Sequence, residues 1–528
     1  MPIVLDWVNN CNTAHSACKR EVPQLPTRVI DIGRPDFDGP AKLITTHGIK
    51  AYYTALSHCW GSLQPLTTTL DTLQEREQGL RVQSLPKTFS DAIQVTKRLE
   101  IQYIWIDSLC IVQDDPLDWQ AEAAQMATVY QNAYLTLSAT AASDGSGGLN
   151  WPFEPSSQFN YDGGKRAYFR TETNTENTVN DSPLGVRAWV LQETLLSRRL
   201  VHFAKDQLYW QCATIQDSED GLVAAGRKEL GGSTYGDPLN IFVHSPSQQL
   251  KPTEAEARES WEDVICIYNQ LKLTKQSDKI AAFAGITTFM QTLLDDTPFL
   301  GLWKNHLPHD LLWALTYQWG TAKITVPVDL NIPSWSWLSL SVNGNITFLK
   351  NHISHNAEKS AVVLEIIHSS ITWSGQPYTS NIFSADLVVR SRLINITCEK
   401  YRDNQFRLSL SNFVPEAGGV THPGDVSSQQ ELGFCFMDHV EEFNEEREVW
   451  CLEVTRWISS STESRSIPLQ LKEEENDIRT VKYLVLILTP LGEGAWKRVG
   501  AGNMYFDPSQ KSTGDPFEGA EKVTVFLK

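Results

Sequence analysis

The stretch Tyr103-Ile104-Trp105-Ile106-Asp107-Ser108-Leu109-Cys110-Ile111-Val112-Gln113 decides how this chain is read. It opens on a short aromatic and β-branched run, the composition of a strand buried on both faces. The run ends in a carboxylate, a hydroxyl and a thiol, so polar chemistry is delivered at the strand's carboxyl end. A second run of the same kind, Tyr52 to Ser57, lies upstream and leads into His58-Cys59-Trp60-Gly61. A third, Tyr134-Leu135-Thr136-Leu137-Ser138-Ala139, lies downstream.

Helical patterns separate these runs. Ser84-Leu85-Pro86-Lys87 reads as a helix start with Ser84 as N-cap and Pro86 in the first turn, followed by Phe89, Ala92, Ile93, Thr96 and Leu99 at helical spacing. Asp118 is placed to cap a helix from Trp119 to Gln131, rich in alanine. Strands alternating with helices imply parallel pairing. The N-terminal fold class is therefore α/β, a parallel sheet of Rossmann-like or flavodoxin-like layer order.

Outward from this core the texture changes. Leu25 to Gly33 reads as a short strand and turn, preceded by Cys11-x3-His15-x2-Cys18. Three soft ligands lie within that segment, but zinc wants four and no second pair follows nearby, so no metal is expected. Asp144-Gly145-Ser146-Gly147-Gly148 follows a strand without opening a helix and lacks the spacing of a dinucleotide or P-loop fingerprint. Residues 155–183 form a polar excursion. Arg187 to Glu193 reads as helical, Leu200 to Phe203 and Gln207 to Cys212 as paired strands, and Glu254 to Leu271 and Ser277 to Leu294 as amphipathic helices. After Asn331 short β-type runs dominate, such as Ala361 to Ile367, Leu387 to Ile396 and Tyr483 to Leu488; Lys472 to Asp477 reads as a solvated charge run. The expected organisation is a lead-in over 1–45, the α/β domain over 46–212 with its core at 53–149, a mainly helical region over 213–330 and a mixed α+β, β-rich region over 331–528.

Composition narrows the function classes. The 528 residues are 41% hydrophobic and 20% charged, an ordinary globular balance. The net charge of -18 repels phosphate backbones, so no nucleic-acid partner is expected. The start lacks a basic and apolar leader, and no window is apolar enough to span a membrane. Nine scattered cysteines fit a reduced, cytoplasmic setting.

Ala55-Leu56-Ser57-His58-Cys59-Trp60-Gly61 and Leu85 to Ala92, together with the quoted Tyr103 to Gln113, resemble, in order, the blocks of the fungal heterokaryon-incompatibility (HET) domain family. Asp118-Trp119, Glu122, Met126, Tyr130, Ala133 and Gly148-Leu149 continue the likeness, and Arg187 to Glu193 is similar to the "RxWxxQE" segment that follows it. Pro333-Ser334-Trp335-Ser336-Trp337 resembles a motif from the C-terminal halves of these proteins; His58 departs from the tyrosine many members carry. The resemblance implies a fungal, intracellular protein of non-self recognition and programmed cell death. It further implies a likeness to the Toll/interleukin-receptor (TIR) fold, some members of which cleave NAD with a helix-borne glutamate. On that reading NAD is a substrate and no cofactor is required. The family also implies two other roles: a secondary-metabolite tailoring enzyme acting on a small organic ligand, or a non-catalytic signalling module that recruits a protein partner.

The residues themselves suggest where chemistry would sit. Ligands of open α/β sheets bind beyond the carboxyl ends of the strands. Ser57, His58, Asp107, Ser108 and Cys110 fall there, and a Cys–His pair with a carboxylate is a nucleophile arrangement. Glu122, early in its helix, is the candidate acid or base to which the TIR likeness also points. Catalytic candidates are thus Glu122, His58, Asp107 and Cys110; Ser57, Trp60, Ser108, Trp119 and Arg187 are candidate substrate contacts, with the Trp rings able to stack a planar ligand or to fill core.

Overall fold

The computed structural model describes residues 2–19, 21–34, 39–61, 66–149, 157–161, 165–169, 175–222, 225–226, 252–316, 330–340, 345–349, 359–402, 405–410, 430–438, 447–459, 480–506 and 515–528. The Lys472 to Asp477 run and much of the 155–183 excursion lie outside them. Two compact units result: Met1–Val264 with Leu271–Leu294 and Gly375–Ser380, and Ile265–Gln270 with Asp295–Ser374 and Asn381–Lys528.

The first unit is built on a nine-stranded sheet. Its strands, in chain order, are β1 (Arg28–Asp31), β2 (Lys42–Thr45), β3 (Tyr53–Ser57), β4 (Tyr103–Ile106) and β5 (Leu135–Ser138). After a separate hairpin of β6 (Ser157–Tyr161) and β7 (Lys165–Phe169) come β8 (Arg199–Phe203), β9 (Leu208–Cys212), β10 (Ile215–Ser218) and β11 (Ala225–Gly226). The order across the sheet is β11-β10-β9-β8-β5-β3-β4-β1-β2.

Only the centre is parallel. β3 lies between β4 and β5, with Leu56 opposite Ile106 and Ser57 opposite Ser138, and β8 adds in parallel to β5. Both wings are antiparallel. The expected parallel sheet is therefore a mixed one. The short β8–β9 and β9–β10 connections leave no room for a crossover, and such links permit only antiparallel pairing. Residues 1–45, read as a lead-in, supply two strands of this sheet.

The helices of this unit are α1 (Pro2–Ala14), α2 (Leu73–Gln78), α3 (Lys87–Arg98), α4 (Asp107–Cys110), α5 (Pro116–Asn132), α6 (Thr175–Asn180), α7 (Ala188–Leu196), α8 (Glu254–Gln270), whose last residues fall in the second unit, and α9 (Ala281–Leu294). Two caps differ from expectation. Pro86, with extended-type backbone, is the N-cap of α3, because Ser84 is taken up by a preceding 3-10 turn. Asp115 caps α5, accepting from the Leu117 and Asp118 amides, since Pro116 at the first helical position starts the helix earlier than Trp119. Asp118 is thereby released to pair with Arg28, at 2.5 Å. The strands are buried on both faces: Ala55, Leu56, Ile104, Trp105 and Ile106 are fully enclosed. Trp105 packs edge-on against Tyr130 of α5 at 5.6 Å. A buried Trp removes roughly 200 Å² from water, on the order of 5 kcal/mol.

The second unit is β-rich. After β12 (Pro298–Phe299), β13 (Leu302–Trp303), α10 (Leu307–Asp310), β14 (Trp313–Thr316) and β15 (Asn345–Phe348) come β16 (Lys359–Val362), β17 (Glu365–Trp373) and β18 (Ile382–Arg402). They continue as β19 (Gln405–Leu410), β20 (Gln430–Met437), β21 (Arg447–Ser459), β22 (Thr480–Gly492), β23 (Ala495–Phe506) and β24 (Lys522–Leu527). From β16 onward they form an antiparallel sheet, with the single parallel pairing of β23 with β24. Trp313, Trp335 and Trp337 are fully buried in this unit.

Candidate functional site

Adjacent parallel strands bring their exits together, so the residues after β3 and β4 meet. The His58 ring is buried, edge-on to Phe89 of α3 at 4.9 Å, and its Nδ1 lies 3.5 Å from an Asp107 carboxylate oxygen. Burial pushes the His58 pKa down, against the pull of Asp107, and the Arg187 charge lowers it further. The ring is thus held as neutral imidazole at neutral pH. Asp107 is fixed from two sides, by the Trp60 indole N–H at 2.8 Å and by the Ser108 amide at 2.6 Å. Gly61, at φ +76°, turns the chain away from β3; a Cβ there would stand 2.4 Å from the Asp144 Cβ.

The residue that completes the cluster arrives on α7. Glu193 is buried, and burial pushes its carboxyl pKa up; the Ser57 hydroxyl, Arg187 and the Tyr130 hydroxyl oppose this while Asp107 adds to it, leaving it at about 7. The Tyr130 hydroxyl donates to the Leu56 carbonyl at 3.2 Å. Among the described residues, Glu193 Oε2, Ser108 Oγ and His58 Nε2 have no hydrogen-bond partner. Buried titratable groups that converge beside two strand ends, one of them shifted toward neutral, mark a candidate site. Trp60, Asp107 and Arg187 remain half-buried and form its open side.

The other candidates lie elsewhere. Glu122 belongs to an ionic cluster: Arg28 donates from one terminal nitrogen to both Asp118 oxygens and through Nε to the Cys110 carbonyl at 2.7 Å, and stands 3.8 Å from Glu122. Burial raises the Glu122 pKa, opposed by Thr27 and Arg28. Cys110 is enclosed in the core, and burial pushes its thiol up to about 12, which disfavours the thiolate. Trp119 is half-buried and edge-on to Trp189 at 6.5 Å, whereas Trp105 is core. The glycine loop packs on α3: the Gly148 amide donates to Thr88 at 3.0 Å and the Leu149 amide to Asp91 at 2.8 Å. Of the nine site residues expected, Ser57, His58, Trp60, Asp107, Ser108 and Arg187 gather at one place; Glu122, Cys110 and Trp119 do not join them.

Residues 53–193 match the family model described as Heterokaryon incompatibility protein (HET). The chain carries a heterokaryon-incompatibility domain over these residues. Comparison with curated proteins and with solved structures gave no match. The matched segment begins at the first residue of β3 and ends on Glu193, so the HET domain model spans both halves of the buried cluster. Glu193 ends the Arg187 to Glu193 segment, which the sequence offers to the same cleft without fixing its distance or giving it a catalytic role. Its signal is an acidic side chain within the apolar helix Ala-Trp-Val-Leu-Gln-Glu-Thr-Leu-Leu, where charge has to be functional or paired. No helix among the described residues of the HET protein is long and apolar enough to cross a membrane.

Proposed function

We propose that the HET domain is the effector of an incompatibility-type death response and acts by hydrolysing the N-glycosidic bond of a nicotinamide dinucleotide. The observation that carries this reading is the buried Glu193 carboxylate, held at about 7 beside Arg187 at the carboxyl ends of β3 and β4. The parallel strands run in the order β4-β3-β5-β8, which is 2-1-3-4 in chain order, the opening of a flavodoxin-like sheet, and its switch point lies at β3. That order supports the TIR-like comparison.

The chemistry needs little more. Water adds to the ribose carbon, the bond to nicotinamide breaks with its electron pair going to the pyridinium nitrogen, and nicotinamide leaves neutral without an acid's help. Glycosidic cleavage passes through an oxocarbenium-like state, which an adjacent carboxylate stabilises, and the same carboxylate can accept the water proton. Glu193 with a pKa of about 7 is substantially ionised at neutral pH and suits both tasks. Arg187 offers a charge for the diphosphate, and half-buried Trp60 a face for the ring.

A second reading, acid–base chemistry on another small molecule, draws on the neutral His58 beside Asp107. Incubating the purified chain with NAD decides between them. The expected result is release of nicotinamide and ADP-ribose, lost together with toxicity in Glu193→Gln. NAD left intact while toxicity persists would overturn the proposal.

A further inference from the structure

The fourth ligand that Cys11-x3-His15-x2-Cys18 lacks nearby is supplied by Cys212, the last residue of β9 and 197 positions after His15. We propose that Cys11, His15, Cys18 and Cys212 hold a structural zinc ion that bolts the N-terminal helix to the end of β9.

Local structure explains how the four meet. His15 directly follows α1, and its amide donates to the Cys11 carbonyl at 3.3 Å, which keeps the two residues one turn apart. Cys18 follows in a 3-10 turn over Ser16–Cys18. The two-residue link between β9 and β10 then brings in the fourth sulfur. All four ligand atoms lie within 4.8 Å of one another, and all four residues are buried. His15 Nδ1 stands 3.4 Å from Cys212 Sγ. Zinc bonds of about 2.0–2.3 Å set tetrahedral ligand separations of ~3.3–3.8 Å, so contraction by about 1 Å closes the shell. None of these cysteines is in a disulfide.

The surroundings are those of a thiolate cluster. The Thr214 and Ile215 amides both point at Cys212 Sγ at 3.4 Å. Arg199, only 5% exposed, donates from Nε to Cys11 Sγ at 3.2 Å and from a terminal nitrogen to the Cys18 carbonyl at 3.1 Å. Among the described residues no carboxylate pairs with it. A buried guanidinium requires negative charge, and three thiolates around a divalent ion leave a net charge of one minus. A mixed sulfur and imidazole shell selects zinc, and four protein ligands leave no open position for substrate. Its role is therefore structural. The metal holds α1 against β9, where Trp7 stacks on Trp210 at 6.0 Å and donates to Asp217 at 2.8 Å.

The test is metal analysis of the full chain, expressed with zinc and purified without chelator. One zinc per chain is expected, released when a mercurial blocks the thiols, and retained in His15→Cys but lost in Cys212→Ser. Since a chain without a ligand can fail to fold, the wild-type protein is also exchanged into cobalt, where the absorption of tetrahedral thiolate-bound cobalt is expected. Wild-type protein carrying no stoichiometric zinc, zinc that thiol blocking leaves in place, or iron in its stead would each overturn the proposal. So would a disulfide among these cysteines found by mass spectrometry.

Discussion

The two sheets of this protein bury charge in opposite ways. In the C-terminal sheet each of two buried arginines touches a carboxylate directly: Arg392 grips Glu453 through two bonds at 2.6 and 2.8 Å, and Arg498, between the Asp438 carboxylate and the Trp313 carbonyl, stacks on the Trp313 ring. In the HET sheet Glu193 has one carboxylate oxygen with no partner among the described residues, and His58 stands off from Asp107 at 3.5 Å. Both arrangements are buried, so desolvation alone does not separate them. Direct contact between opposite charges does. A matched ion pair holds a shape, whereas an under-matched one keeps a proton affinity near neutral that chemistry can use.

Glu193→Gln tests the contrast where the effect is largest. The substitution keeps shape and removes the base, so the rate of NAD cleavage should fall about 10²–10⁴-fold with the fold intact by circular dichroism. Asp438→Ala does the reverse. It leaves Arg498 buried and uncompensated and should cost about 3–5 kcal/mol in urea unfolding. The double change Asp438→Leu with Arg498→Met should recover most of that loss, which would mark the pair as structural.

A pH series sharpens the comparison further. The folded Glu193 pKa of about 7 lies above the ordinary value of 4.5. Between those values the folded chain binds a proton that the unfolded chain releases, so stability falls as pH rises through the window, and the deficit is complete above it. Relative to wild type, Glu193→Gln should therefore gain about 3 kcal/mol from about pH 4 to about pH 8, read from unfolding curves. A flat difference would mean that the carboxyl is not held high. The smallest effect belongs to Cys110→Ala, which should leave the cleavage rate essentially unchanged, because the thiol is enclosed and pushed up to about 12.

How much of this the sequence discloses depends on the distance over which it has to be read. Tyr53–Ser57, Tyr103–Ile106 and Leu135–Ser138 are legible as strands because buried parallel strands are uninterrupted apolar runs, and their exits locate Ser57, His58 and Asp107. Cap positions shift by a few residues where proline competes with a nearby hydroxyl or carboxylate, as at Pro86 and Pro116. The antiparallel wings are less legible, since Leu25 to Gly33 announces a strand but not its neighbour. Glu193 and Cys212 are invisible as partners for a plainer reason. Each meets its cluster from far along the chain, and no local pattern encodes which of nine cysteines or dozens of acids folds back.

Gln192, next to the candidate base, is engaged differently. Its side-chain oxygen accepts the Gly285 amide of α9 at 3.1 Å, and a Cβ at Gly285 would come within 2.5 Å of that oxygen and 2.4 Å of the Ala127 methyl. The Ala188 amide, at the head of the same helix, is bound by the Lys272 carbonyl at 2.9 Å. The unit that holds α7 in place is therefore longer than the segment by which it is recognised. A fragment cut after the last matched strand-and-helix block would strip α7 of the backbone that seats it, and with it the placement of Glu193. A fragment meant to keep the candidate site should run through Leu294, and glycine at 285 belongs to the same unit although it lies 92 residues beyond the match at 53–193.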